Sequence, residues 1–324
     1  MSYEEFFQLR EQPFSNAPDA RYYFSSSQHS EALVRLKHAA RTNVGLAVLV
    51  GEIGAGKTTL ARRLLDELDE REFESALLVV VHSSITAEWL LRKIAAQLGV
   101  EPIPEGKLET LSAIYHRLLA IREEGRKAVV LIDEAQMLQS RELMEEFRGL
   151  LNLELPAHKL VTFVFFGLQS LDQTLALDEP LQQRVALRYR LKAMGLESTA
   201  AYIRYRLQVA GAAREIFQPE AIALIHRHSR GIPRLINVIC DNCLFEAYLV
   251  RKAHIDAGVV EGVVADLGLK ANALTAPPQP GPAACPPEGA PGPAAQQPSR
   301  RSSDSLLNRE EMDSLGLLRE FDAG

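Results

Sequence analysis

Cysteine is scarce in this chain: three among 324 residues, an odd number, so no disulfide framework is implied. Long apolar runs are missing too. The longest, Ala76 to Val81 and Val161 to Phe166, fall far short of the ~20 residues with which a helix crosses a bilayer, so nothing here suggests a membrane-embedded protein. The first residues, Met1-Ser2-Tyr3-Glu4-Glu5, have neither the basic nor the apolar region of a signal peptide, so a cytoplasmic location is expected. A net charge of −6 argues against a broadly basic nucleic-acid surface. Proline is sparse until late: nine of the 17 prolines fall between Pro277 and Pro298. No Asn-Lys-x-Asp segment of the guanine-reading kind occurs.

What is present starts at Gly51-Glu52-Ile53-Gly54-Ala55-Gly56-Lys57-Thr58. The stretch fits the phosphate-binding pattern G-x-x-x-x-G-K-[ST], with the apolar run Leu46 to Val50 before it and helix-forming residues from Thr58 onwards. Its chemistry is that of a backbone wrapped round a triphosphate. Gly51, Gly54 and Gly56 permit the required backbone angles and close approach, and the helix N-terminus adds free N–H groups and a positive dipole end. Lys57 neutralises the β- and γ-phosphates, the Thr58 hydroxyl sits on Mg²⁺, and Ala55 and Thr59 complete the cofactor-binding stretch.

A second apolar run, Ala128 to Ile132, leads straight into Asp133 and Glu134, about 75 residues after the loop. A carboxylate at a strand's carboxyl end can hold the metal shell, and the next can polarise a water; Asp133 and Glu134 are the candidates for those two roles.

Further runs at Ala76–Val81, Leu160–Phe166 and Val185–Leu191 bring the strands to five. Helical segments at Thr86–Leu98 and Leu108–Glu124 lie between them. The alternation predicts an α/β fold, a parallel five-stranded sheet with helices on both faces and the ligand at the strands' carboxyl ends. Before it, residues 1–30 read as an aromatic arm packed on the core, followed by a helix from Ser30 to about Arg41 with Ser30 as its cap. The core covers residues 31–194. Residues 195–270 become purely helical and form a small four-helix domain. Cys240 and Cys243 sit in one of these helices without a second ligand pair, and core packing is the better reading of them. Residues 271–302, rich in Pro, Ala and Gly, read as a disordered linker; residues 303–324 read as a short acidic tail with amphipathic spacing.

Taken together these features resemble the AAA+ ATPases, which makes the phosphate-loop NTPase core the fold expected and the helical part its lid. The nearer resemblance is to the bacterial branch with the general secretion pathway ATPase (protein A), the pilus-biogenesis and exopolysaccharide-export ATPases and, more distantly, transposition ATPases. It is carried by the phosphate loop, Leu131-Ile132-Asp133-Glu134-Ala135-Gln136, Thr199 to Arg204, Gly231-Ile232-Pro233-Arg234-Leu235-Ile236-Asn237 and the arm residues Phe6 to Ser15 with Pro18-Asp19. The resemblance implies ATP and Mg²⁺ as cofactors. It implies Arg234 as a lid sensor of the γ-phosphate, Arg184 as a finger offered to a neighbouring subunit's nucleotide, and Gln169 as the first sensor. The family usually has Gly-Gln-Pro-Glu-Leu where this chain has Gly167-Leu168-Gln169-Ser170-Leu171, a displacement of one residue.

The expected protein is therefore an Mg²⁺-dependent ATP hydrolase with Glu134, Lys57, Arg184, Arg234 and Gln169 as catalytic groups. Through the resemblance it is also a homo-oligomer with shared sites, serving a cell-envelope secretion, pilus or exopolysaccharide machine and reaching the inner membrane only peripherally, through partners. An alternative makes it an ATP-dependent DNA loader, with Arg62, Arg63, Arg188, Arg190, Arg204 and Arg206 available to phosphates.

Overall fold

The computed structural model describes residues 2–17, 19–156 and 158–269, all within one compact unit. The linker and tail expected after residue 270 lie outside the described residues. A five-stranded parallel sheet runs in the order β2 (Phe73–Val79), β3 (Lys127–Asp133), β6 (Val161–Gly167), β1 (Leu46–Gly51), β7 (Val185–Leu191). β1, β3 and β6 are buried almost throughout, the burial that their unbroken apolar runs call for in strands covered on both faces. A two-residue hairpin, β4 (Glu154–Leu155) with β5 (His158–Lys159), stands apart from the sheet.

Helices cover both faces. α2 (Ser27–Thr42) and α3 (Lys57–Glu67) bury Leu36, Leu60 and Leu64 with Leu49, Leu131 and Phe166 from the sheet. On the other face, α6 (Arg141–Leu151) brings Phe147 edge-on to Phe163 and Phe165, with ring centroids 5.2 and 4.8 Å apart. Replacing so deeply buried a phenylalanine by alanine costs about 3–5 kcal/mol. α4 (Ala87–Gln97) and α5 (Lys107–Glu123) fill the crossover from β2 to β3.

No element is expected from the sequence between Glu134 and Leu160, yet α6 lies there. Leu143, Met144, Phe147, Leu150 and Leu151 recur at helical spacing and Ser140 caps it through the Leu143 N–H, so the periodicity carries the signal. α2 starts three residues before its expected first turn. In the run Ser25-Ser26-Ser27 it is Ser26 whose hydroxyl accepts from the His29 N–H and closes the end.

After β6 come the short helices α7 (Leu171–Leu175) and α8 (Glu179–Gln182), then β7. The helical region follows as α9 (Leu196–Val209), α10 (Pro219–Ser229), α11 (Pro233–Leu249) and α12 (Ala257–Asp266), the four helices expected. Cys240 and Cys243 are fully buried within it as free thiols, and burial pushes the Cys243 thiol up to about 12. They pack the core, as the sequence suggests.

The arm departs from expectation in one respect. It contains the helix α1 (Tyr3–Phe7), capped by Ser2 and Glu5, and its residues Tyr3, Phe7, Leu9, Phe14 and Tyr22 share a core with the helical region. The α/β core therefore carries little of the arm, because the arm's aromatics find their apolar partners on α9 to α12.

Candidate nucleotide site

The parallel register aligns the carboxyl ends of β1, β3 and β6 at one edge of the sheet, where Gly51, Asp133 and Gly167 end their strands. At that edge the chain turns from β1 into α3 through the glycine loop. Gly54 and Gly56 have φ of +79° and +94°, left-handed values that favour glycine. Gly56 caps α3 without a side chain, so the helix presents its first N–H groups with nothing of its own laid over them.

Lys57, the first residue of α3, is buried, and its ammonium donates to the Gly51 and Glu52 carbonyls at 3.2 and 3.0 Å. Burial lowers its pKa, and the carboxylates of Glu134 and Asp133 oppose that fall. Ala55 is buried in the loop and Thr59 is exposed on the first turn of α3.

Asp133 is 1% exposed. Its Oδ1 accepts from the Glu134 N–H at 2.9 Å, whereas Oδ2 is buried without a partner. Burial raises its pKa, and the Thr58 hydroxyl and Glu134 N–H pull the other way. A buried carboxylate with one unsatisfied oxygen and a threonine hydroxyl beside it form a donor pair of the hard-oxygen kind that suits Mg²⁺. The residues present thus fit the metal that the sequence implies.

Glu134 has left-handed backbone (φ +56°, ψ +36°), which costs a side-chain-bearing residue about 1 kcal/mol. Its Oε2 accepts from the Gln136 amide at 2.5 Å.

α11 touches the loop directly. The Arg234 N–H donates to the Gly54 carbonyl at 3.3 Å, and a Cβ added at Gly54 would lie 2.6 Å from the Arg234 Cβ. The Arg234 side chain is exposed beside the loop. Gln169 is exposed just beyond β6, at the same edge as Asp133.

Arg184 is the predicted residue that the structure does not bring to this edge. It precedes Val185, which pairs with Leu46 at the opposite end of β1. At 3.3 Å per strand residue it stands about 20 Å from the loop of its own chain. Its Nη1 is buried without a partner.

Two residues near the site had no role in the sequence reading. His29, on the first turn of α2, is buried under the loop with Nε2 3.3 Å from the Ala55 carbonyl and Nδ1 2.6 Å from the Ser26 hydroxyl. Since a carbonyl only accepts, Nε2 carries the proton and Nδ1 accepts from Ser26. Gln136, within a quoted motif, proves to be buried beside Glu134. For His29 no sequence signal exists; its partner lies 26 positions away.

The arginines offered to DNA fare unevenly. Arg206 is neither a solvated face nor a phosphate contact: it is buried, donating to the Pro13 and Ser15 carbonyls and to the Tyr202 hydroxyl. Arg188 pairs with Asp172, Arg63 with Glu67 and Arg204 with Glu215.

Residues 40–175 match the family model described as AAA domain. With its five-stranded parallel sheet, phosphate loop and trailing helices, the chain has the AAA+ fold and belongs with that class of nucleotide-binding proteins. It is similar to the general secretion pathway protein A of Aeromonas hydrophila, with 39% identity over 255 residues. That match takes in 78% of this chain but 46% of the relative's length, so the chain spans under half of it. Among solved structures it is similar in fold to the ORC2 protein of Aeropyrum pernix, at 17% identity and a TM-score of 0.59, covering 79% of this chain and 71% of that one. Cdc6p of Pyrobaculum aerophilum gives 20% identity and 0.58, covering 78% and 70%. The RuvB branch migration motor of Thermotoga maritima gives 17% and 0.53, covering 82% and 74%. No helix among the described residues is long and apolar enough to cross a membrane.

Proposed function

We propose that this chain binds ATP with Mg²⁺ in the loop from Gly51 to Thr59 and hydrolyses it, with a second copy completing the site. The observation that carries the reading is the buried Asp133 carboxylate, with its Oδ2 partnerless and the Thr58 hydroxyl beside it, next to a buried Lys57 and a helix N-terminus. A polyanion with its cation is what removes the cost of that arrangement.

In this reading the loop's N–H groups and Lys57 hold the β- and γ-phosphates, and Thr58 and Asp133 hold the metal. The metal supplies charge neutralisation at the transferred phosphoryl group. Glu134 orients and polarises the attacking water, Gln169 contacts the γ-phosphate from the strand edge, and Arg234 closes over it from α11. Arg184, about 20 Å from its own loop, can reach only a neighbour's nucleotide, which makes hydrolysis depend on assembly.

We further propose that nucleotide-driven assembly serves a cell-envelope secretion, pilus or exopolysaccharide machine from the cytoplasmic side, on the strength of the similarity to general secretion pathway protein A. The test is phosphate release under oligomerising conditions by the wild type, Lys57→Ala and Glu134→Gln. Release abolished in both variants supports the reading; equal release in all three overturns it.

A further inference from the structure

Gln136 ties two parts of the site together. It is 7% exposed, on the single 3-10 turn that follows Glu134. Its Nε2 donates to the Glu134 Oε2 at 2.5 Å, and its Oε1 accepts from the Leu168 N–H at 3.0 Å. The orientation of the amide is settled by its partners, because a carboxylate can only accept and a backbone N–H can only donate.

The neighbouring strand is shaped to admit this side chain. Gly167 ends β6, and a Cβ there would lie 2.9 Å from the Gln136 Oε1 and 3.0 Å from the Leu171 Cδ2. Leu168 is the residue between that glycine and Gln169, so the amide bridges the Glu134 carboxylate to the loop that carries Gln169. Glu134 needs such a tether. Its left-handed backbone starts a turn whose only regular hydrogen bonds are local, and a free glutamate side chain samples several rotamers.

We propose that Gln136 is a positioning residue for hydrolysis, fixing the Glu134 carboxylate and transmitting to it any movement of the loop 167–169. Holding Oε2 through a charge-assisted hydrogen bond leaves Oε1 to orient the water. Displacement of Leu168 by a bound γ-phosphate pulls on the amide and thereby turns the base. The proposal rests on the reading of Glu134 as the group acting on water.

The test uses the full chain with MgATP, in the wild type, Gln136→Ala, Gln136→Glu and Glu134→Gln, reading nucleotide affinity and kcat separately. Gln136→Ala is expected to bind nucleotide within about twofold of wild type while kcat falls about 10- to 100-fold, the loss typical of a reacting group displaced by about 1 Å. Gln136→Glu keeps the shape and the Leu168 hydrogen bond but sets two carboxylates side by side. They share a proton, so the acidic limb of its pH–rate profile moves upward by about one pH unit or more. A role in packing alone would leave that limb in place.

If Glu134→Gln keeps wild-type turnover, the reading of the site fails first and this inference with it. If Glu134→Gln is inactive while Gln136→Ala has wild-type kcat, or Gln136→Glu has an unmoved pH profile, the positioning role alone is overturned. Should Gln136→Ala fail to fold, the pH profile of the isosteric Gln136→Glu decides.

Discussion

His29 is held neutral beneath the phosphate loop, since burial lowers its pKa by more than the hydrogen bond to the Ala55 carbonyl raises it. The sign of its effect on stability follows. In the unfolded chain the imidazole takes a proton below its ordinary value of about 6.5, and the folded chain refuses it until lower pH. Its contribution is therefore complete above that value and is lost as pH falls below it. His226 is lowered by burial too, so the informative quantity is the difference between two proteins. The thermal midpoint of the wild type should fall more steeply from pH 7.5 to 5.5 than that of His29→Gln; parallel curves would show that His29 is not the titrating group. Asp133 carries the converse cost, a buried charge with one orphan oxygen. Asp133→Asn should raise the stability of the nucleotide-free protein by about 1 kcal/mol while abolishing hydrolysis. A melt showing it less stable than the wild type would contradict the strain assigned to that carboxylate.

At the scale of elements, the phosphate loop connects to α11 by the Arg234 N–H on the Gly54 carbonyl. Gly54 tolerates this approach because it has no Cβ and a φ of +79°. Gly54→Ala should cost about 1–3 kcal/mol and weaken nucleotide binding, read by a melt and a titration on the same sample. Unchanged values for both would mean that α11 does not rest on the loop in solution. This junction also marks what the sequence could tell. The loop, the strand pattern and the Asp133-Glu134 pair were legible because their chemistry is local: glycine angles, an apolar run, a charge at its end. His29 and Gln136 were not, since each gains its role from a carbonyl or N–H 26 or 32 positions away, brought near only by the fold. Arg184 shows the middle case, its position at the far end of β7 following from the strand's register once the sheet order is known.

Across the whole molecule, the arm and the helical region share one hydrophobic core, and Arg206 fastens them by donating to the Pro13 and Ser15 carbonyls while lying 4.7 Å over the Tyr22 ring. The Asn16 side chain accepts from Asn237, and the Tyr3 hydroxyl donates to Asp241. Arg206→Ala leaves the buried Pro13 carbonyl and the half-buried Ser15 carbonyl without this donor and should destabilise the protein by about 3 kcal/mol, with faster proteolysis within residues 2–17. Cleavage at the wild-type rate would place the arm's attachment elsewhere. The α/β core meets this body where the Gly54 carbonyl accepts from the Arg234 N–H. In the proposed function, nucleotide at the loop would act where the two parts touch, and Arg184, at the opposite end of the strands, would serve a neighbouring copy. The central claim, a hydrolytic site shared between copies, is tested most directly by mixing two inactive variants. Arg184→Ala retains a whole pocket and Glu134→Gln retains a whole arginine, so equal mixing restores a complete site at about one interface in four, and phosphate release should recover to about a quarter of the wild-type rate. A mixture as inactive as its components, or Arg184→Ala with wild-type release on its own, would contradict the shared site.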